Sequence, residues 1–342
     1  MSKLNLGLVF GGQSQEHEIS VLSASSVYNV IDRKKYDIFP AAISKTGKWL
    51  SVSESRRVLE EEMEEVPESA EKRLDSIYNY FKQCPDVIFP LLHGPFGEDG
   101  RLQGMLEMFD IPYVGCGVLS SALAMDKAVS KRVFSSCGLP QADYLIVNKY
   151  ELKNGVSQIE DIVKDKIGLP CFIKPANMGS SIGISRLKDF KDFESALNKA
   201  FEFDKKVVIE EEIKGREIEC SVLGNEKIEV SLPGEIIPSA EYYDYDSKYN
   251  DEETELVFPV SLSEELINKV QNLAIKVFKA VDGSGLARID FFLRDADNKF
   301  VINEVNTIPG FTRYSMYPKL WEVSGLDYDK LVDKLIKLTL EE

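Results

Sequence analysis

The chain has 342 residues, 44% hydrophobic and 29% charged, with a formal net charge of −16. That length allows two or three domains with filled cores, and the composition is that of a soluble globular protein. So acidic a balance argues against a nucleic-acid partner, although local Lys and Arg can still hold small anions. Cys84, Cys116, Cys137, Cys171 and Cys220 are odd in number and form no CxxC, which suits reduced thiols and neither a disulfide frame nor a zinc site. The opening MSKLNLGLVFGGQS has too short an apolar core for a signal peptide, and no run approaches membrane-span length. A cytoplasmic protein without a membrane partner is expected.

In chain order, LNLGLVF is a short apolar run ended by Gly11 and Gly12, and an amphipathic helix over about 15–31 follows. YDIFPAAIS and DVIFPLL read as further strands, the last after a helix at 72–82. Strands alternating with helices predict a parallel sheet covered on both faces. The acidic segment 53–76 reads as a solvated surface excursion. His17 and His93 follow two of these strands, at the carboxyl edge where such sheets bind ligands, with Glu16 near a helix start.

From about residue 117 the character changes. SSALAMDKAVSKRVFSSCGLP predicts one helix closed by Gly138 and Pro140, in which Lys127 taken alone is an ordinary surface lysine. IKPANMGSSIG (173–183) reads as strand, Gly/Ser loop, strand. With Lys174, Ser180 and Ser181, it has the make-up of a phosphate cradle or of a plain hairpin turn, and it is not a Walker loop. KVVIEEEI follows as a strand that resembles a nucleotide hinge or a solvated edge, and REIECSVLG alternates Ile218, Cys220 and Val222 against Glu217, Glu219 and Ser221. The aperiodic loop 239–256, rich in tyrosine, reads as a lid or a disordered surface loop. Helices are predicted over 263–281 and 327–340.

Between them, GLARIDFFLRDADNKFVINEVNTIPGF reads as two strands, 286–293 and 299–306. Period-two alternation places Arg288, Asp290 and Phe292 on one face, and Ile302, Glu304 and Asn306 on one face. Pairing 290 with 304 sets 288 opposite 306. Facing carboxylates call for a proton or a cation between them, and oxygens from Asp290, Glu304 and Asn306 suit Mg²⁺. The alternative is a solvated face with ordinary cross-strand pairs.

In order, FGGQSQEHEIS, LLHGPFGEDGRLQG, MDK, IKPANMGSSIG, DYDSKY, ARIDFFL and NEVNTIPGFT closely resemble the D-alanine–D-alanine ligases of the ATP-grasp superfamily, over about residues 4–335. The resemblance implies an α/β fold of three domains. Residues 1–116 would be a Rossmann-like parallel-sheet substrate domain, 117–212 the central ATP-grasp domain, and 213–342 the C-terminal ATP-grasp domain with lid and metal site. It implies that two D-alanines are joined through an acyl phosphate, with ATP and Mg²⁺ (two ions, Mn²⁺ able to substitute), in a homodimer.

It further implies site residues. Lys127, Lys174, Ser181 and Lys248 would hold phosphates, and Glu210, Glu211, Ile213, Glu217, Tyr243, Phe292 and Asn303 the rest of the nucleotide. Asp290, Glu304 and Asn306 would hold metal. Arg288 and the Gly310 N–H would stabilise the oxyanion, Glu16 with His93 nearby would bind the first substrate, and Ser315 with Met316 the second. A Glu16–Ser180–Tyr249 chain would close the lid. The sequence DSKY and Met316 favour D-alanine over D-lactate or D-serine as second substrate, with Arg313 a departure. Rival readings are a ligase making D-alanyl-D-serine or D-alanyl-D-lactate, another carboxylate–amine ligase, a non-catalytic ATP-binding protein, and an acidic interaction module.

Overall fold

The computed structural model describes residues 3–83, 85–238 and 254–341. The first sheet is parallel, in the order β2–β1–β3, from β1 (Leu4–Gly11), β2 (Tyr36–Ile43) and β3 (Val87–Pro90). Alternation along β1 fills both faces, as the sequence predicts. Leu6, Leu8 and Phe10 pack with Val21, Ala24 and Val27 of helix His17–Val30, while Val9 packs on the other side with Trp49, Ile88 and Leu106. The last helix, Tyr328–Thr339, returns to this sheet and buries Leu331 and Leu335 in the same cluster as Leu6.

A second, antiparallel sheet has the order β4–β7–β5–β6, from β4 (Tyr144–Asn148), β5 (Cys171–Pro175), β6 (Ser185–Leu187) and β7 (Lys206–Glu211). The third comprises β8 (Gly215–Leu223), β9 (Glu229–Val230), β10 (Gly234–Ile237), β11 (Glu255–Val257), β12 (Leu286–Arg294) and β13 (Lys299–Asn306). Its order is β11–β10–β8–β12–β13, with β9 on β8. One face holds Ile218, Cys220, Val222, Ala287, Ile289 and Phe291 against helix Glu264–Ala280. The other face is polar. Among the described residues no helix is long and apolar enough to cross a membrane.

Three local expectations change. Segment 53–76 is partly structural: helix Val52–Glu60 starts at a Ser51/Glu54 capping box and buries Val58 and Leu59, and Val66 is buried beyond it. The helix expected across 117–138 is two helices, Val118–Met125 and Lys127–Ser136. Asp126 separates them, because its carboxylate accepts the N–H groups of Ala128 and Val129 at 3.1 Å and caps the second. Ile302 turns into the core while still bordering the smaller of two cavities. A bulge after Asp290 sets Phe291 opposite Ile302, and Ile302 packs in the core with Phe291 and Phe300. The extra residue, Asn303, lets the chain change faces so that Asn303 and Glu304 both turn to the polar side.

The first and third sheets meet where Gly285 enters β12. Its φ is +66°, and a Cβ there would lie 2.8 Å from the backbone N and Cα of Gly115. Neither atom can swing aside. Gly285→Ala is expected to destabilise the protein by about 1–3 kcal/mol, read as a lower melting temperature or urea midpoint. An unchanged midpoint would show that this junction relaxes freely.

Candidate active site

The polar face of the third sheet carries the expected cluster in the expected register. Asp290 lies opposite Glu304, and Arg288 opposite Asn306. On the other flank of β12, β8 sets Glu219 beside Asp290 and Glu217 beside Phe292. Glu219, Asp290 and Glu304 therefore form a row across three strands, with Glu219 1% and Asp290 2% exposed. Like charges in such positions repel. Arg288 offsets this: its Nε and Nη2 each donate to Asp290 at 2.8 Å, and Nε lies 3.0 Å from Glu219 Oε2. Burial opposes the charged guanidinium, but Asp290 and Glu219 overcome it and raise its pKa well above the ordinary value. Asn306 Nδ2 donates to Asp290 Oδ2 at 2.9 Å, and Lys127 Nζ stands 3.4 Å from Glu304.

This donor set bears on a metal. Asp290, Glu304 and the Asn306 amide oxygen are all hard oxygen donors on one face, which suits Mg²⁺ completed by substrate phosphates. Among the described residues, no three His, Cys, Asp or Glu side chains converge as a ready cage. Two carboxylates and an amide would fit an ion whose coordination substrate phosphates complete.

The Gly/Ser loop is pinned at its start. The Lys127 N–H donates to Ala176 O at 2.9 Å and its Nζ to Met178 O at 2.8 Å, while Asn177 is held by Asp126 and Asp204. Ser180 and Ser181 then adopt left-handed φ values of 49° and 58°. Such backbone costs roughly 1–3 kcal/mol per non-glycine residue and gathers at functional loops. At the loop's end Gly183 has φ +73°, and Phe203 and Pro175 already fill the space of a Cβ.

Two cavities meet at this loop. The smaller, about 360 Å³, is lined by Lys127, Lys174, Ser181, Glu210, Glu211, Ile213, Glu217, Phe292 and Asn303. The larger, about 1070 Å³, is lined by Glu16, His93, Glu98, Arg288, Asp290, Asn306, Gly310, Arg313, Ser315 and Met316. Gly179, Ser180, Glu217, Ile236 and Glu304 border both. Tyr243, Lys248 and Tyr249 lie outside the described residues.

Within the smaller cavity Glu210 meets two lysines, Lys131 at 2.8 Å and Lys174. Burial would raise its pKa, yet the lysines prevail and hold its carboxyl down to about 2. The Glu211 carboxylate accepts the Asp143 N–H at 3.0 Å.

In the larger cavity, Glu16 lies between two loops: a Cβ on Gly94 would stand 2.9 Å from its Oε2, and one on Gly179 3.4 Å. Met316 is buried against Ile236 and Leu320 while bordering the space. Ser315 Oγ accepts the Thr312 N–H at 3.1 Å.

The two histidines have different places. His17 donates from Nδ1 to Gly12 O at 2.7 Å and accepts the Val66 N–H at Nε2, so it fastens segment 61–72 to the first sheet. His93 donates from Nδ1 to Ile308 O at 2.9 Å, and its Nε2 accepts from Ser23 Oγ, which itself accepts the Phe311 N–H. Burial lowers the His93 pKa, consistent with this neutral ring. Glu98 accepts the Ile308 N–H at 2.9 Å and the Gly94 N–H at 2.7 Å. Both polar backbone groups of Ile308 are thus held by His93 and Glu98 from the loop after β3, next to Gly310.

The family models described as the D-ala D-ala ligase N-terminus and C-terminus match residues 5–116 and 133–337. The chain belongs to the D-alanine–D-alanine ligase family. It is 52% identical over 343 residues, the full length of both chains, to a D-alanine–D-alanine ligase of Halothermothrix orenii. A second such ligase, from Geobacillus thermodenitrificans, is 46% identical over 99% of this chain and 96% of its own. Among solved structures, the VanG D-Ala:D-Ser ligase from Enterococcus faecalis superposes with a TM-score of 0.83 at 33% identity, covering 99% of this chain and 100% of its own. The D-alanine–D-alanine ligase from Coxiella burnetii gives 0.82 at 37% identity, covering 100% and 95%. The chain is thus an ATP-dependent ligase with the α/β ATP-grasp fold of its family.

Three residues in or beside the two cavities escaped sequence reasoning: Glu219, Glu98 and Lys131. Glu219 was visible on the polar face of its strand, but not that this strand adjoins β12. Lys131 follows Lys127 by one helical turn, a spacing that puts both on one side. Glu98 lies in HGPFGEDG, where nothing local signals burial. Burial, with Glu16 adding to it, pushes the Glu98 carboxyl up to about 8 from an ordinary 4.5. Between those values the folded chain keeps a proton that the unfolded chain releases, so this contribution to stability is full below about 4.5 and lost as pH rises through about 8. The unfolding free energy of wild type relative to Glu98→Gln should therefore fall from pH 5 to pH 8.5 in urea melts. A constant difference would place Glu98 in its charged form throughout.

Proposed function

We propose that the two joined cavities carry out the ATP-dependent ligation of two D-alanine molecules into D-alanyl-D-alanine, for peptidoglycan precursor synthesis. The observation that carries this reading is the junction at Glu304 and the Gly/Ser loop, where a pocket of nucleotide size that holds Lys127 and Lys174 among several carboxylates opens into a chamber edged by Glu16, Arg288 and Gly310. The domain limits at 116 and 212 belong to the same reading, with the nucleotide between the second and third sheets.

Glu16 binds the ammonium of the first D-alanine beside His93. Lys127 and Lys174, with Lys248 of the lid, neutralise the phosphates, and Ser180 and Ser181 donate to them. Glu210, Glu211, Ile213, Glu217, Tyr243, Phe292 and Asn303 hold the remainder of the nucleotide. A carboxylate oxygen of the first D-alanine attacks the γ-phosphorus, ADP leaves, and an acyl phosphate forms. The amine of the second D-alanine, whose carboxylate Ser315 holds near Met316, attacks the acyl carbon and loses a proton. Arg288 and the Gly310 N–H stabilise the oxyanion, and phosphate departs. Tyr249, reached through Ser180 from Glu16, closes the lid against water. Asp290, Glu304 and Asn306 hold Mg²⁺, two ions with Mn²⁺ as a substitute, which when bound neutralises phosphate charge. A homodimer in the cytoplasm completes the proposal.

With MgATP and D-alanine, ADP and D-alanyl-D-alanine should appear in equal amounts by mass analysis, with little mixed product when D-serine or D-lactate is added. Asp290→Ala should lower kcat by at least about a hundredfold in protein that still folds, even though Arg288 loses a buried partner and the melting temperature falls. Full activity of that variant would remove the metal assignment. Turnover that requires D-serine or D-lactate would change the second substrate.

A further inference from the structure

Glu210 stands in the wall of the smaller cavity with one lysine on each oxygen: Lys131 Nζ lies 2.8 Å from Oε2, and Lys174 pairs with Oε1. The two lysines differ in access. Lys174 lines the cavity, whereas Lys131 does not; it is 4% exposed and reaches Glu210 from helix Lys127–Ser136, its Nζ 5.3 Å from the Tyr144 ring centroid. A lysine that turns to a nucleotide phosphate must leave its carboxylate. When that carboxylate is buried and has no other cation, leaving it strips a buried charge, which is among the costliest local changes a protein can make. Glu210 is spared this because Lys131 stays.

We propose that Lys131 is a positioning residue: it is the resident counter-charge of Glu210, and by neutralising that carboxylate it releases Lys174 to bind nucleotide phosphate. This rests on the assignment of the smaller cavity to the nucleotide. The role is one of exchange. Lys174 holds Glu210 while the cavity lacks phosphate and gives it up when phosphate arrives, and the buried carboxylate keeps a cation in both states. Remove Lys131, and among the described residues Lys174 is the one cation left paired with Glu210.

Binding of the non-hydrolysable imido analogue of ATP, with Mg²⁺, tests this by calorimetry on the intact protein. Lys131→Met should weaken binding roughly tenfold or more, and Lys131→Arg should retain it. In the double variant Lys131→Met/Glu210→Gln there is no buried carboxylate to trap Lys174, so it should bind as Glu210→Gln does alone. A Lys131→Met protein that binds as wild type overturns the proposal. So does a loss that adds in full to that of Glu210→Gln, because that is what mere damage to the fold would give. Wild-type protein that binds no analogue would overturn the cavity assignment itself, and this role with it.

Discussion

Glu219, Asp290 and Glu304 stand side by side on adjacent strands, and the guanidinium of Arg288 lies among them, bonded to two of the three. Most of the site depends on this neutralisation. The opposite face of the same strands is apolar and fixes their register through Ile218, Ile289, Phe291 and Val305. Burial of that face forces the carboxylates together, and Arg288 makes the enforced geometry tolerable. The same device recurs in the smaller cavity, where Glu210 lies between Lys131 and Lys174. In both places a group expected to serve a ligand shares its partner with a second buried ion, Glu219 in one case and Lys131 in the other. Charge can then be handed to a ligand without leaving a buried ion alone.

The chain also divides the work across distant sequence. The loop carrying Gly310 follows β13, yet its backbone is held by His93 and Glu98 from the loop after β3 and by Ser23 from helix His17–Val30. The larger cavity is therefore built from segments far apart in the chain. Its floor is strand from the third sheet, its wall the carboxyl edge of the first, and its border with the smaller cavity the strained Ser180–Ser181 turn.

How much of this could be read beforehand follows from which forces are local. Period-two alternation put Arg288 and Asp290 on one face, and Glu304 and Asn306 on one face; the pairing of 290 with 304 that would bring them together is the observed register. The same alternation misplaced Ile302, because a bulge at Asn303 answers to packing against Phe291 and Phe300 and not to the local pattern. Strand order carries no local signal, so Glu219 went unrecognised beside Asp290. The break at Asp126 was legible in principle from an Asp ahead of a helical run, but the apolar period on either side concealed it. His17 and His93 share a similar position after a strand, and only tertiary contacts separate an anchor for Val66 from a wall of the larger cavity. The resemblance supplied the reaction and the site list, whereas the supporting counter-ions came from the structure.

The proposed reaction turns on phosphoryl transfer to a carboxylate at the junction of the two cavities. The most direct measurement uses D-alanine labelled with oxygen-18 in its carboxylate, with MgATP, and follows the label by mass. An acyl phosphate requires that one labelled oxygen per turnover leave in inorganic phosphate. Dipeptide formed with unlabelled phosphate would contradict the account.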